Sequence, residues 1–185
     1  MMASPFQLRL AAHLLRQGSV AAWPTEAIWG IGCDPLNPRA VKRLADLKQR
    51  SLSKGLILTG ASYAQILPYI QPLPQQQMQA VLSSWPGPHT WLLPASPAAP
   101  SWITGNSTLV AVRVSAHPLT RDLCLAFGGA LTSTSANLSG HPPGRTALQV
   151  RRRCPGVDIL LHGSTGGLRN PTPIRNALDG KVIRS

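Results

Sequence analysis

Short apolar runs of strand length alternate with helix-period stretches along the whole chain, and Pro or Gly separates nearly every pair. This alternation restricts the fold more than any other feature, because runs this short need a sheet that helices cover. The strand-like runs are residues 19–23, 56–59, 90–93, 108–114, 130–133 and 157–161, and residues 174–184 read as a closing hairpin turned at Asp179 and Gly180. A first helix carries Phe6, Leu10 and Leu14 with Leu8, Ala11 and Leu15 as its apolar face, and Gly18 follows as its left-handed terminator. Asn37 and Pro38 start a second helix, which buries Val41, Leu44, Ala45 and Leu47 and ends by delivering Lys48. Further helices are expected from Ser62 to Leu67, over 75–84 with Met78, Val81 and Leu82 inward, over 118–127 before Gly128, and over 147–153 behind Thr146. The expectation is a mixed α/β domain of about seven short strands, with residues 1–185 forming one domain.

Charge narrows the chemistry. Eighteen Lys and Arg against six Asp and Glu give a formal charge of +12, a field that favours polyanions. Glu26 is the only glutamate, and Asp34, Asp46, Asp122, Asp158 and Asp179 are scattered singly, so chemistry that needs paired carboxylates is disfavoured. Five dispersed histidines and the separated Cys33, Cys124 and Cys154 suggest neither catalytic zinc nor a disulfide framework, and no metal ligand set is expected. No apolar run approaches the ~20 residues of a membrane span, and no signal-peptide core is present, so a cytoplasmic protein is expected.

Four segments could carry chemistry. Lys48, Arg50 and Lys54 stand between the second helix and the strand from Leu56, where side chains reach into clefts. Residues 24–34 read as a strand running into a shaped loop, with Gly30 and Gly32 as punctuation. Within it the lone Glu26, flanked by apolar residues, needs a partner, and a cation of the Lys48 loop is the expected one. Arg113 interrupts the apolar 108–114 strand and so should face a cleft or a counter-ion. Residues 134–140, Thr-Ser-Ala-Asn-Leu-Ser-Gly, place small polar side chains beside backbone N–H groups, the local chemistry of an anion cradle. The glycine-rich 163–167 stretch lacks a Gly-Lys-Ser/Thr ending and reads as a flexible turn rather than a phosphate loop. Arg151, Arg152 and Arg153 suit either a helix C-terminus or a tRNA contact.

Taken in order, Pro24-Thr25-Glu26 with Gly30 and Gly32, Lys48-x-Arg50 with Lys54-Gly55-Leu56, and Ser133-Thr134-Ser135-Ala136-Asn137-x-Ser139-Gly140 resemble the YrdC/TsaC family, the threonylcarbamoyl-adenylate synthases. Trp85-Pro86-Gly87-Pro88 and Ala111-Val112-Arg113 add to the likeness, which is to the short single-domain bacterial form. The resemblance implies a three-layer, YrdC/RibB-like domain whose twisted mixed sheet surrounds a basic cavity. It also implies formation of threonylcarbamoyl-AMP and pyrophosphate from L-threonine, bicarbonate and ATP, with Mg2+ carried on the nucleotide. By that resemblance Lys48 and Arg50 are catalytic, and Lys48, Arg50, Lys54, Ser135, Asn137, Arg145 and Arg184 bind ATP. Thr25, Ala27, Arg113, Ser135 and Thr172 form the threonine site. Its implied partners are downstream proteins that transfer the threonylcarbamoyl group to tRNA, with direct tRNA binding as an option. The sequence departs from the commoner pattern at Ala27, Thr59 and Thr172-Pro173, all on the threonine side. Two rivals share the fold: a non-catalytic RNA-binding protein, and a carbamoyl-transfer module of a hydrogenase-maturation enzyme, which the lack of paired cysteines disfavours.

Overall fold

A computed structural model describes residues 3–184 of the chain. Ser4 and Gln7 cap each other reciprocally and start α1 (Pro5–Arg16), after which Gly18 takes the expected left-handed conformation at φ 95°. β1 (Ala21–Pro24) turns back antiparallel on β2 (Trp29–Gly32). Asn37 accepts from the N–H groups of Arg39 and Ala40 to open α2 (Pro38–Lys48). There follow a 3-10 turn at Leu52–Lys54, β3 (Ile57–Gly60), α3 (Tyr63–Ile66) and α4 (Gln75–Ser83). The middle of the chain is β4 (Thr90–Pro94), α5 (Ser101–Thr104), β5 (Leu109–Val114) and α6 (Pro118–Phe127). Then come β6 (Leu131–Thr132), β7 (Thr134–Ser135), α7 (Ala147–Arg153), β8 (Ile159–Leu160), β9 (Ile174–Asn176) and β10 (Val182–Arg184).

The strands divide into two mixed sheets, β7-β2-β1-β8 and β10-β9-β4-β5-β3-β6, ten strands among the described residues where about seven were expected. β2 accounts for part of the excess. Its glycines read as loop punctuation in the sequence, but a Cβ on Gly32 would lie 1.7 Å from the Thr132 carbonyl oxygen, so the strand needs glycine to cross β6 closely. The two sheets meet where β6 passes into β7 across Ser133 alone, β6 pairing with β3 and β7 with β2. Ser133 donates its N–H to Ile57 of one sheet, and Ala136 donates its own to Trp29 of the other.

Two apolar clusters cover the strands. The larger draws on both sheets and α2 and includes Ala22, Trp29, Ile31, Val41, Leu44, Leu58 and Val112. The smaller lies beneath α1 and α6 and includes Ala11, Leu15, Trp23, Leu119, Leu123 and Leu131. Adjacent residues of β1 enter opposite clusters, which is why the strand reads as an uninterrupted apolar run. α1 packs on α6 with Ala11, Ala12 and Leu15 buried, so Ala11 and Leu15 of the expected face do turn inward, whereas Phe6 and Leu10 are 65% and 45% exposed. Small residues let the two helices approach, and that contact outranks the larger side chains. In α4, Met78 and Val81 are buried as expected but Leu82 is exposed. The Arg43 guanidinium grips Asp158 with two of its nitrogens, tying α2 to the residue just before β8; with both partners part-exposed the pair is worth ~1 kcal/mol or less.

Candidate active site

Residues of both sheets line a cavity of about 470 Å³ at this seam, a size that suits a small-molecule site. Leu92, Leu109, Ala111 and Ile174 give it an apolar wall, and Thr25, Ser133, Thr134 and Ser135 bring hydroxyls. Arg50, Lys54, Arg113 and Arg184 bring four cations, and no carboxylate lines it among the described residues.

The basic loop is held rather than loose. Arg50 folds back to donate to the Gly55 carbonyl at 3.0 Å, while its Nε is buried without a partner. Burial, then the neighbouring Arg184, pushes Arg50 below its ordinary value, yet an arginine stays charged. From the other side Leu56 donates to Ile103 and Asn106 donates to Ser53, so α5 and the turn after it clamp the loop. Gly55 has φ 61°, and a Cβ there would lie 2.7 Å from the Ile103 carbonyl oxygen. Lys54 stays exposed at the cavity edge.

Lys48 stands elsewhere than the sequence leads one to expect. It does not line the cavity, is only 2% exposed, and donates through Nζ to the carbonyls of Ser135 and Asn137, the latter at 2.7 Å. In return Ser139 donates its N–H to the Lys48 carbonyl at 3.0 Å. The lysine is a strut between the end of α2 and the 135–139 loop, and burial pushes its ammonium down to about 8. Asn137 and Arg145 also stand behind the wall. Asn137 donates to the carbonyls of Leu138 and His141 with its Oδ1 buried and unpartnered, and Arg145 donates to the Arg169 carbonyl.

Thr25, Ala27, Arg113, Ser135 and Thr172 all line the cavity, as does Arg184. Glu26, between two lining residues, finds its partner in Arg113 of β5 and not in the Lys48 loop: Arg113 Nη1 lies 3.7 Å from Glu26 Oε2. Glu26 Oε1 accepts from the Ser115 hydroxyl at 2.6 Å and the Ala116 N–H at 3.2 Å. Burial pushes this carboxyl up, but Arg113, then Ser115, outweigh it and hold it below the usual carboxylate range. Arg113 Nη1 also donates to the Thr172 hydroxyl at 2.9 Å, and Arg184 reaches the Thr172 carbonyl at 3.4 Å.

The 163–167 stretch is no free turn, since Gly166 donates to Thr25 and Leu168 to Glu26, so it straps the β1–β2 turn. Sequence reading also passed over Ile103, Thr104 and Ser107, which line the cavity from the end of a Pro-rich stretch that carries no site signal. Ser133 and Thr134 were closer to hand, as the first members of the hydroxyl loop. Arg153 of the triple-arginine run is engaged by the Pro142 and Pro143 carbonyls, as a helix-end residue would be.

A family model named Sua5_yciO_yrdC and described as Telomere recombination matches residues 13–185. The chain belongs to the Sua5/YciO/YrdC family. Within it, a relative from Halorhodospira halophila named threonylcarbamoyl-AMP synthase is 51% identical, over 97% of this chain and 95% of its own. One of the same name from Stenotrophomonas maltophilia is 52% identical, over 95% and 96%. The structure of P. abyssi Sua5 complexed with L-threonine superposes with a TM-score of 0.89 at 29% identity, covering 97% of this chain and 53% of that one, so this chain spans about half the length of that Sua5. E. coli YciO superposes with a TM-score of 0.87 at 21% identity over 98% and 90% of the two chains, a likeness of fold. The cavity thus lies in a domain whose fold these structures share.

Proposed function

We propose that this chain is a threonylcarbamoyl-AMP synthase, acting as one domain over residues 1–185 in the cytoplasm and supplying proteins that transfer the threonylcarbamoyl group to tRNA. The observation that carries the reading is a single cavity combining the Arg50-Lys54 loop, Arg184 and the Ser133–Ser135 hydroxyls with an Arg113 site beside Thr25 and Thr172. Relatives of about half identity bearing that name over nearly their whole length support it.

In this reading the amine of L-threonine captures bicarbonate to give a carbamate and water. A carbamate oxygen then attacks the α-phosphorus of ATP, and pyrophosphate leaves. No protein nucleophile is needed; the work is to align two anions and to stabilise charge on phosphoryl oxygens. Arg50, Lys54 and Arg184 face the triphosphate, Ser135 adds a hydroxyl, and Arg113 takes the amino-acid carboxylate. Lys48, Asn137 and Arg145 hold the loops that shape this wall. Among the described residues the wall offers no carboxylate, so those residues do not form a magnesium site, and Mg2+ would arrive on the phosphates of ATP.

The test is pyrophosphate release that requires L-threonine and bicarbonate together, with serine and bicarbonate-free controls. Arg50→Ala is expected to keep its fold and lose activity by about a hundredfold or more. Full activity in that folded variant would sink the assignment.

A further inference from the structure

Of the cavity's cations among the described residues, Arg184 alone is carried on an edge strand. β10 pairs with β9 and with no other described strand, and its register shifts between Val182 and Arg184, so two positions, opposite Arg175 and Ile174, hold it. Val182 and Ile183 are 52% and 58% exposed. β9 is held differently, by three parallel positions on β4 and by the Ala177 N–H on the Leu92 carbonyl. The turn between the two strands is closed at Asn176, whose carbonyl accepts from Gly180 and whose Oδ1 accepts from Leu178. β10 can therefore peel away from its Arg184 end while β9 and the turn stay in place, because a short edge with exposed side chains opens easily.

Charge opposes its docking. Arg113 Nη1 reaches the Thr172 hydroxyl at 2.9 Å and Arg184 the Thr172 carbonyl at 3.4 Å, so two guanidiniums stand on one residue. Glu26 forms its ion pair with the first of them. Burial, then Arg113, pushes Arg184 below its ordinary value, although it stays charged, and Arg50 feels the charge of Arg184 in turn. Docked β10 thus bears desolvation and like-charge repulsion, against which it gains one long hydrogen bond. An anion shared by Arg50 and Arg184 turns that repulsion into a common attraction.

We propose that β10 is an anion-operated latch: it moves between a peeled and a docked position, and a polyphosphate held by Arg50 and Arg184 draws it shut, completing the wall with Ile183 and Arg184. Calling that polyphosphate the nucleotide rests on the synthase reading; the latch itself needs phosphate chemistry alone. Such a latch admits the nucleotide while open and retains it once docked.

Hydrogen exchange of the whole chain, read by mass spectrometry, tests this with pyrophosphate as the probe. At about ten times the dissociation constant found by calorimetry, exchange over 179–184 is expected to slow about tenfold, whereas sodium chloride of equal ionic strength changes it less than about twofold. Equal slowing by chloride would mean screening rather than a shared anion and overturns the latch, as does a wild type that pyrophosphate leaves unchanged at any concentration. Arg184→Gln removes the repulsion and the anion contact together. Its 179–184 segment is expected to exchange more slowly than wild type without ligand and to gain less than about twofold from pyrophosphate. A purely structural Arg184 predicts the opposite, faster exchange in the unliganded variant, and that result overturns the proposal. Should the variant fail to fold, the wild-type comparison of pyrophosphate with chloride decides. Pyrophosphate release that depends on threonine and bicarbonate is measured on the same preparation. Release without a β10 response removes the latch alone, and a β10 response without release keeps the latch and removes the synthase reading.

Discussion

Lys48 donates to two backbone carbonyls, and while Ser135 also accepts from the Asn137 N–H, the Asn137 carbonyl relies on the lysine in a buried place. Lys48→Ala is therefore expected to destabilise the protein by about 2–4 kcal/mol, read as a lower denaturant midpoint, and to lose activity through the 135–139 loop. Its titration carries a definite sign. The folded value of about 8 lies below the ordinary 10.5, so the unfolded chain holds the extra proton between them. Stability relative to a Lys48→Met protein should rise across that interval by up to ~3 kcal/mol, measured by denaturation at stepped pH. Tyr69 and Cys124, both pushed up to about 12 by burial, act in the opposite sense but are common to both proteins and cancel. Glu26 gives the acid counterpart. Its folded value lies below 4.5, so its contribution is complete above that pH and lost as the pH falls through the folded value. Glu26→Gln should accordingly flatten the acid limb of the stability profile.

Among the elements, the seam from β6 through Ser133 to β7 is the least forgiving. Gly32→Ala would drive a Cβ into the Thr132 backbone at that crossing, and a loss of about 3 kcal/mol or more is expected in thermal or chemical unfolding. A Gly32→Ala protein as stable as wild type would mean that the sheets can part there. The same seam explains what could be read from the sequence. α2, α6 and α7 were legible almost to the residue, because Asn37, Gly128 and Thr146 are local signals for local structure. β2 was not, because Gly30 and Gly32 are dictated by strands distant in sequence, and the two-residue β7 carries no period of its own, whereas β6 fell inside the apolar 130–133 run. The site divided similarly. Residue types that face a cavity were found at Arg50, Arg113 and Ser135, and Thr172 only through the family resemblance, whereas the inward turn of Lys48 depends on carbonyls nearly ninety positions away.

At the scale of the whole molecule, a formal charge of +12 makes ATP capture sensitive to salt. Raising ionic strength should raise the KM for ATP several-fold, on the order of what screening over a Debye length of ~10 Å allows. The KM for threonine, a zwitterion without net charge, should move far less, and equal shifts in the two would contradict capture of the nucleotide by the field of the whole molecule. The stretch from Gly166 to Thr172 gives the molecule one more property. Leu168 is fastened to the Glu26 carbonyl, and Thr172 to Arg113 and Arg184, with only three residues between those two fastenings. A span fixed at both ends acts as a gauge. Lengthening it by one residue would shift Thr172 out of phase with both arginines at once, so this surface segment should refuse the insertions that surface loops ordinarily accept.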